Sequence, residues 1–448
     1  MAFNRQGLMT ISQTTRIAAR RWAGGLAVGL ILSLGACDSV LEVNDPDIIV
    51  DAGSAGGAIA LRNGVIHRFN QAMDGSGDAP DGYFLMGGLL ADEWRSGDTF
   101  EQRNTTDFRV VQTTNSFISD LFRRANRVRN EATAAIAALR QYSPTPLSNI
   151  GQMFAFMAFS ENQIGEFFCN GIPFTELNGN QIVFGNPVSY DSAYKRAVNH
   201  ADSALAWVAG ADSARIRQFA AVIKGRALLN RNLPAAAATA VAGVATSFQY
   251  LSTHSVNSTD NVLWLQAINL RRLVMGDVEG TNGLNFRTAA DPRIPSLLVG
   301  NSFDNTLQGI FAPTLWDERT DPVIIASGIE ARLIEAEAAL RTGDVTNFLA
   351  KLNEARATKT GLAPLTDPGS TVARQDLLFR ERAFWMFSTG HRLGDLRRLI
   401  RQYGRAENTV FPTGVWFKGG PYGTDVNFPI PFSETNNPNF VQCTDRVA

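Results

Sequence analysis

The sequence predicts a mainly α-helical protein that also contains an irregular, loop-rich lobe. Apolar residues recur at helical spacing in several segments within residues 115–247 and 324–404, which predicts a helical core. Residues 70–112 and 248–320 include stretches rich in glycine, asparagine and aspartate and are expected to be irregular. With 448 residues, of which 45% are hydrophobic and 19% charged, the chain can bury a large core. A folded protein is therefore expected rather than a disordered one.

Residues 1–36 are predicted to be an export signal of the lipoprotein type. Arginines precede a short apolar stretch at residues 22–34, which is too short to span a bilayer comfortably. The stretch ends in Leu34, two small residues and Cys37, a pattern that resembles the bacterial lipobox. Cys37 is thus the predicted lipidation site, where several acyl chains would anchor the protein, and residues 37–50 form the tether. An ordinary signal peptide with a chance cysteine is the alternative.

The charge of the exported part argues against nucleic-acid binding. Four arginines and no acidic residue precede Cys37, so removal of the signal leaves 37 basic and 42 acidic side chains, a net charge of −5. No basic stripe remains that could follow a phosphate backbone.

The helical segments, taken in order, form a series of pairs. A long amphipathic helix is expected at 117–139, and a Phe- and Met-rich helix at 150–168. Further helices are predicted at 190–207, 216–229, 235–244, 324–341 and 347–357. The pairs look like tetratricopeptide-type hairpins, with small residues where helices would touch. Because an amphipathic pair cannot cover its own apolar face, neighbouring pairs are expected to stack into a superhelix.

Residues 375–404 carry two further helices around a cluster of polar residues. Gly390 is the predicted joint, since glycine accepts the left-handed conformation that ends a helix. His391, Arg392 and Asp395 follow it and are expected to form a buried structural network that fixes the angle between the helices.

Two blocks near the C-terminus carry a family resemblance. The first comprises Glu381-Arg382, Gly390-His391-Arg392 and Asp395-Leu396-Arg397-Arg398, and it resembles the C-terminal signature of the SusD/RagB family of outer-membrane nutrient-binding lipoproteins. The second, Phe428-Pro429-Ile430-Pro431-Phe432-Ser433-Glu434 with Asn437-Pro438-Asn439, is similar to the block with which that family ends. The family usually has glutamates where this chain has Trp385 and Thr389, which indicates a divergent branch.

The resemblance implies the domain organisation and the function. Residues 51–448 would form a single SusD-like domain that ends in a C-terminal block at 405–448. The protein would be a surface-exposed lipoprotein of the outer membrane that binds a nutrient, with an oligosaccharide favoured. It would pass this nutrient to a SusC-type TonB-dependent transporter. Asp38 follows the lipidated cysteine, and in some bacteria an aspartate at that position retains lipoproteins at the inner membrane. The outer-membrane placement therefore depends on the family resemblance.

Two other functions stay open. A RagB-like member of the family would bind peptides, which would favour a cleft dominated by polar groups over a flat aromatic platform. A lipid-anchored helical-repeat scaffold would show a broad exposed apolar groove and no ligand pocket.

Catalysis is not expected from this sequence. None of the four histidines stands at a metal-ligand spacing from another histidine or a cysteine, and no nucleophile or phosphate-binding motif occurs. Asp92 and Glu93 are adjacent and would point in different directions, so they do not form a glycosidase pair. We therefore expect a binding protein with no metal and no cofactor.

Aromatic residues in the irregular segments are the candidate ligand contacts, because their faces match the apolar side of a sugar ring. Trp94 is favoured, since Asp92 and Arg95 beside it could bind hydroxyl groups. Tyr83 and Trp316 are further candidates. The alternative is that each aromatic residue anchors its own loop in the core, as tryptophan is highly buried on average.

Two cysteines remain after lipidation, Cys169 and Cys443. In an exported chain such a pair most simply forms a disulfide, which here would tie the C-terminal tail to the end of the second core helix. Two reduced, buried thiols are the competing interpretation.

Overall fold

Helices dominate the computed structural model, which describes residues 53–76, 80–178, 181–208, 210 and 213–448. The predicted signal peptide, the Cys37 lipidation site and the tether lie outside the described residues. Residues 51–448 form one compact unit. The predicted mainly α-helical class is confirmed.

Thirteen α-helices lie in the described part of the chain. They are α1 (Ala55–Met73), α2 (Tyr83–Leu90), α3 (Glu101–Asp107), α4 (Ser116–Tyr142), α5 (Leu147–Phe167), α6 (Tyr190–Ala206), α7 (Ala214–Asn230), α8 (Pro234–Val241), α9 (Val262–Trp264, continued by a π-helical turn at Leu265–Asn269), α10 (Gly328–Thr342), α11 (Val345–Arg356), α12 (Thr371–Trp385) and α13 (Arg392–Tyr403).

The strands are short and form five antiparallel pairs among the described residues. They are β1 (Trp94–Ser96), β2 (Ile172–Pro173), β3 (Glu176–Asn178), β4 (Gln181–Val183), β5 (Pro187–Val188), β6 (Gln249–Ser252), β7 (Leu273–Met275), β8 (Ser296–Gly300), β9 (Ile310–Pro313) and β10 (Val323–Ser327). The pairs are β1 with β7, β2 with β5, β3 with β4, β6 with β10, and β8 with β9. These isolated ribbons belong mostly to the irregular lobe, which leaves the core to the helices.

Consecutive helices pack on one another to build the core. Helix α1 lies on α4, α4 on α5, α5 on α6 and α7, and α7 on α8 and α10, while α10 also contacts α11 and α12. Aromatic rings fill the space between these layers: Phe69 stacks on Phe156 with ring centroids 4.1 Å apart, and Phe219 stacks on Tyr250 at 3.8 Å. Phe69 also meets Phe159 edge to face, with ring centroids 5.2 Å apart. Aromatic contacts of these kinds add to the burial of apolar surface.

Local sequence signals explain where the helices begin and end. The side chains of Asn115, Ser327 and Asp344 accept hydrogen bonds from backbone N–H groups in the first turns of α4, α10 and α11. Gly343 and Gly404 adopt left-handed conformations, with φ of 78° and 67°, directly after α10 and α13.

Two segments differ from the prediction. Ile324 was expected in a helix, but Val323–Ser327 pairs with Gln249–Ser252 as a strand, and α10 starts only after Ser327. The β-branched run of Val323, Ile324 and Ile325 fits a strand better than a helix. Residues 70–112 were expected to be irregular but contain α2 and α3. Helix α2 is buried on all sides, so it has no polar face and shows no amphipathic period.

The joint between α12 and α13 forms at Gly390, as predicted. Gly390 has a φ of 75°, and a Cβ atom there would lie 2.7 Å from the ring of Phe84 on α2. Glycine is therefore needed both for the backbone conformation and for the close approach of α2. Beyond the joint, Arg397 on α13 is fully buried and donates hydrogen bonds to carbonyl oxygens of Gly165 and Phe168 at the end of α5.

The C-terminal block is attached to the end of α5. The predicted disulfide between Cys169 and Cys443 is present in the structure. Beside it, the backbone N–H of Cys169 donates to the carbonyl of Phe428, whose ring packs against Phe167 and Phe168. A disulfide, a backbone hydrogen bond and ring contacts thus join residues that are far apart in the sequence.

Candidate functional site

The three aromatic residues predicted to contact ligand are buried. Trp94 and Tyr83 have no exposed surface, and Trp316 is 5% exposed. The indole Nε1 of Trp94 donates a 3.0 Å hydrogen bond to Ser388 Oγ, and its ring lies 5.3 Å from that of Phe387. The structure therefore places Trp94 at the joint between α12 and α13 and gives none of these rings an open face for a sugar, which corrects the expectation. The reason is the one stated as the alternative: large aromatic side chains gain most from burial.

The two charged candidates beside Trp94 are engaged in ion pairs. Asp92 accepts hydrogen bonds of 2.6 and 2.8 Å from the guanidinium of Arg392 and one of 2.8 Å from the backbone N–H of Leu284. Arg95 pairs with Glu279 and donates to the carbonyl of Asp277. Asp92, Trp94 and Arg392 thus come together, but as a connection between the irregular lobe and α13 rather than as an open site.

A buried ionic network continues from this point into the helical core. Asp395 accepts hydrogen bonds of 2.7 and 2.8 Å from Arg382 and Arg398. Glu330 accepts two from Arg226, and Nε2 of His391 lies 3.1 Å from Glu330 Oε1. Burial alone would raise the pKa of Glu330, but the charge of Arg226 and the contact with His391 lower it to about 2. His391 therefore belongs to a structural network, as the sequence predicts.

Glu93 stands in the same region without a cation of its own. Its side chain is buried, Oε1 accepts a 2.9 Å hydrogen bond from the backbone N–H of Ser388, and Oε2 has no hydrogen-bond partner among the described residues. Burial, reinforced by the neighbouring Asp92, raises the pKa of Glu93 to about 8. At neutral pH this carboxyl group is consequently protonated.

An exposed aromatic patch lies next to these buried residues, and it consists of Phe100, Arg272 and Phe303. The two phenylalanines are 44% and 43% exposed. The guanidinium carbon of Arg272 lies 3.8 Å from the ring centroid of Phe303 and 5.1 Å from that of Phe100. The patch therefore offers two solvent-facing rings with a hydrogen-bond donor between them.

Buried groups hold the aromatic patch in place. Asp98 is fully buried and accepts 2.7 Å hydrogen bonds from both Arg272 and Arg103. The pairing of β1 with β7 brings the loop after Ser96 beside Arg272. Phe303 is fixed through its backbone N–H, which donates to the carbonyl of Arg271. These contacts within the protein hold Arg272 and the loop of Phe303 in place, which reduces the conformational entropy lost when a ligand binds.

Sequence reasoning did not find the aromatic patch, although a signal for it exists. Phe100 follows Ser96-Gly97-Asp98-Thr99, and Phe303 lies within Asn301-Ser302-Phe303-Asp304-Asn305. Each is a lone aromatic residue whose nearest neighbours in the sequence are turn-forming polar residues. Such a phenylalanine has less chance of burial than a tryptophan beside an apolar run.

Two concave surfaces lie along α4. One is a cleft of about 400 Å³ between α4, α5 and α6, lined by charged side chains that include Arg129, Arg196 and His200. The other is a more apolar groove of about 700 Å³, lined in part by Phe122, Pro173 and Ile182. The β-hairpin of β3 and β4 separates them, since Leu177 lines both.

Two further features, a metal-binding cluster and a membrane-spanning helix, are absent from the described ranges. No group of three or more His, Cys, Asp or Glu side chains there has the arrangement of a metal site. No helix in the same ranges combines the length and apolar character needed to cross a bilayer.

Comparison with known proteins identifies the fold. No protein-family model matches the sequence, and no curated protein matches it. Solved structures do match. A SusD superfamily protein from Bacteroides vulgatus is 17% identical, with 88% of this chain and 100% of that chain covered and a TM-score of 0.62.

Two further matches agree. A SusD-like carbohydrate binding protein from Bacteroides vulgatus is 13% identical, with 86% and 97% covered and a TM-score of 0.60. Surface glycan-binding protein A from Bacteroides uniformis is 14% identical, with 87% and 99% covered and a TM-score of 0.65. At these identities the similarity establishes a shared fold over nearly the whole of each solved chain.

Proposed function

We propose that this chain, which has the SusD fold, is a nutrient-binding protein whose favoured ligand is an oligosaccharide and which catalyses no reaction. The observation that carries the proposal is the match of fold over 86–87% of this chain to a SusD-like carbohydrate binding protein and to a surface glycan-binding protein. The aromatic patch of Phe100, Arg272 and Phe303 supplies a surface with suitable chemistry.

The chemistry of the patch suits a sugar ring. The apolar face of a pyranose packs on an aromatic ring, while its hydroxyl groups need hydrogen-bond donors and acceptors. Phe100 and Phe303 offer the rings, and Arg272 offers N–H donors between them. Asp98 keeps Arg272 oriented, so little side-chain freedom is lost on binding. In this proposal Trp94, Asp92, Tyr83, Arg95 and Trp316 act indirectly, by fixing the lobe that carries the patch.

Replacing Phe303 by alanine tests the site. We expect the affinity for the best ligand on a glycan array to fall at least about five-fold, because one ring contact contributes roughly 1 kcal/mol. Isothermal titration calorimetry of purified protein measures the change. Phe432→Ala is the matched control, since Phe432 is also exposed, at 58%, but lies in the C-terminal block.

Equal binding by Phe303→Ala and the parent protein would remove the patch from the site. A peptide array run in parallel tests the RagB-like alternative. If the protein bound peptides selectively and bound no glycan, its ligand would be a peptide and not an oligosaccharide.

We further propose that the protein is anchored at the surface of the outer membrane through lipidated Cys37 and delivers its ligand to a SusC-type TonB-dependent transporter. The lipobox-like sequence before Cys37 and the SusD fold support this proposal. A lipid anchor and tether would allow the body to swing like a lid over a transporter.

Two measurements test the anchor and the partner. A fatty-acid probe should label the parent protein and leave Cys37→Ala unlabelled. The tagged parent should also co-purify with a large transporter, whereas an unrelated tagged lipoprotein should not. Equal labelling of both proteins would refute the anchor, and the absence of any transporter from the purified material would refute the partnership.

A further inference from the structure

The cleft between α4, α5 and α6 has a charged floor that differs from the aromatic patch in chemistry and in residues. Glu161 on α5 is fully buried at its base. It accepts hydrogen bonds of 3.1 Å from Arg129 and 3.3 Å from Arg196, and Nδ1 of His200 lies 2.7 Å from its Oε2. Burial alone would raise the pKa of Glu161, but the bond to His200 and the charge of Arg129 lower it below its ordinary value. Glu161 therefore stays ionised and keeps the two arginines in place.

A second carboxylate, that of Glu176, lies beside the same two arginines, while Nη1 of Arg129 donates to Asn126. Glu176, on β3 of the exposed hairpin, accepts a 2.6 Å hydrogen bond from Arg196 and lies 3.6 Å from Arg129. Its side chain is 53% exposed, whereas that of Glu161 is not exposed at all. An exposed ion pair of this kind contributes little to stability, about 0–1 kcal/mol. Arg129 and Arg196 therefore bind the carboxylate of Glu176 only weakly.

A third arginine in the cleft has no acidic partner. Arg140 on α4 lines the cleft, and its guanidinium lies 5.7 Å from the ring centroid of Phe154 and 5.0 Å from that of Trp207. Among the described residues no carboxylate lies within salt-bridge distance of it. The cleft therefore contains three arginines and two carboxylates, and its net charge is positive even when Glu176 is paired with Arg196.

We infer that this cleft binds small ligands that carry carboxylate groups. The side chain of Glu176 occupies the position beside Arg129 and Arg196 until the carboxylate of such a ligand displaces it. A guanidinium fork matches the geometry of a carboxylate, and hydrogen bonds between the two are charge-assisted. A ligand with two carboxylates would place one against Arg129 and Arg196 and the other against Arg140. Acidic saccharides and acidic peptides share this chemistry.

The hairpin is suited to such an exchange. Its strands β3 and β4 are exposed, and Leu177 and Ile182 leave 54% and 58% of their surface in solvent. Its base is held by Asn130, which accepts from the backbone N–H of Leu177 and donates to the carbonyl of Thr175. Withdrawal of the Glu176 side chain from Arg196 consequently disturbs no packed core.

Binding of a galacturonate trimer, measured by isothermal titration calorimetry at low salt, tests the inference. Glu176→Gln removes the competing charge, and we expect it to bind the trimer about five- to ten-fold more tightly than the parent protein does. Arg140→Gln is expected to weaken binding by about five-fold. Both changes are on exposed side chains, and thermal melts check that both variants fold.

The control is Asp202→Asn. Asp202 on α6 is 51% exposed and pairs with Lys224 at 2.6 Å, but it does not line the cleft. It is expected to leave the affinity unchanged. Maltotriose, which has no carboxylate, should bind the three variants and the parent alike, and a triglutamate arm shows whether peptides or saccharides are the better source of carboxylate.

Equal affinity of Glu176→Gln and the parent for both acidic probes would overturn the inference. The inference would also be overturned if Glu176→Gln increased the affinity for maltotriose as much as the affinity for the galacturonate trimer. The result is separable from the proposed glycan site, because Phe303→Ala should keep full affinity for the trimer while it loses affinity for its own glycan.

Discussion

Replacing Asp395 by asparagine is expected to lower the free energy of unfolding by about 3–5 kcal/mol, the usual cost of removing one partner from a buried ion pair. Asp395 is 3% exposed and neutralises Arg382 and Arg398, which are both buried. These charges hold the pKa of Asp395 well below its usual range, although burial alone would raise it. Asparagine keeps the shape but leaves the two guanidinium groups short of one negative charge. Urea denaturation at pH 7 measures the loss.

The matched control is Asp376→Asn on α12. Asp376 also pairs with an arginine, Arg405, at 2.8 Å, but its side chain is 61% exposed. Solvent screening leaves such a pair with a contribution of about 0–1 kcal/mol. If both variants lost a similar amount of unfolding free energy, the buried network around Asp395 would not stabilise the protein more than an exposed ion pair does.

Replacing Glu93 by glutamine is expected to stabilise the protein at neutral pH by about 1–3 kcal/mol. Burial raises the pKa of Glu93 to about 8, so the folded state keeps the proton that the unfolded state loses near its ordinary pKa of 4.5. Below pH 4.5 both states are protonated and the carboxyl group costs nothing. As the pH rises from 4.5 to 8, only the unfolded state ionises, and the parent protein loses stability. Glutamine has no proton to lose and avoids this cost.

The pH dependence distinguishes this effect from a simple change of packing. The difference in free energy of unfolding between Glu93→Gln and the parent should be near zero at pH 4, grow up to pH 8, and then stay constant. Glu101→Gln, at an exposed position on α3, should show no such trend. A difference that does not vary with pH would mean that the buried carboxyl group is already ionised in the folded protein.

The helical core could be predicted because α4, α6 and α11 each have one face in solvent, and because the apolar run of α5 is too long for a strand. Helices α4, α5, α6, α7 and α11 all begin and end within a few residues of the predicted positions. Helix α2 could not be predicted in this way, since all eight of its residues are buried and no polar face marks its period. Strand β10 was hidden for another reason: it runs directly into α10 at Ser327, so the apolar residues of the two elements form one continuous series.

The candidate site was harder to predict than the core. Residue type alone favoured Trp94 as a ligand contact. In the structure Trp94 is buried against Ser388, which lies 294 residues away along the chain. Phe100 and Arg272 approach each other through the pairing of β1 with β7 and the ion pair between Asp98 and Arg272. Such contacts between distant segments leave no local pattern in the sequence.

The residues that carry the family resemblance have an architectural role in this structure. Glu381 pairs with Arg293, and Arg392 pairs with Asp92. Arg382 and Arg398 pair with Asp395, while Arg397 binds carbonyl oxygens at the end of α5. The signature therefore reports how α12, α13 and the lobe are joined. It carries no information about which ligand the protein binds.

The attachment of α13 to α5 through Arg397 responds to acid differently from the neighbouring ion pairs. Burial lowers the pKa of Arg397 only to about 10, and the oxygens that it binds are peptide carbonyls, which do not titrate. Protonation of carboxylates would release Arg382 and Arg398 in turn, while Arg397 would keep its hold on the end of α5. Helix α13 thus makes two kinds of contact: ion pairs that acid breaks, and the hydrogen bonds of Arg397, which acid leaves intact. Gradual acidification would therefore weaken the contacts of α13 unevenly along its length.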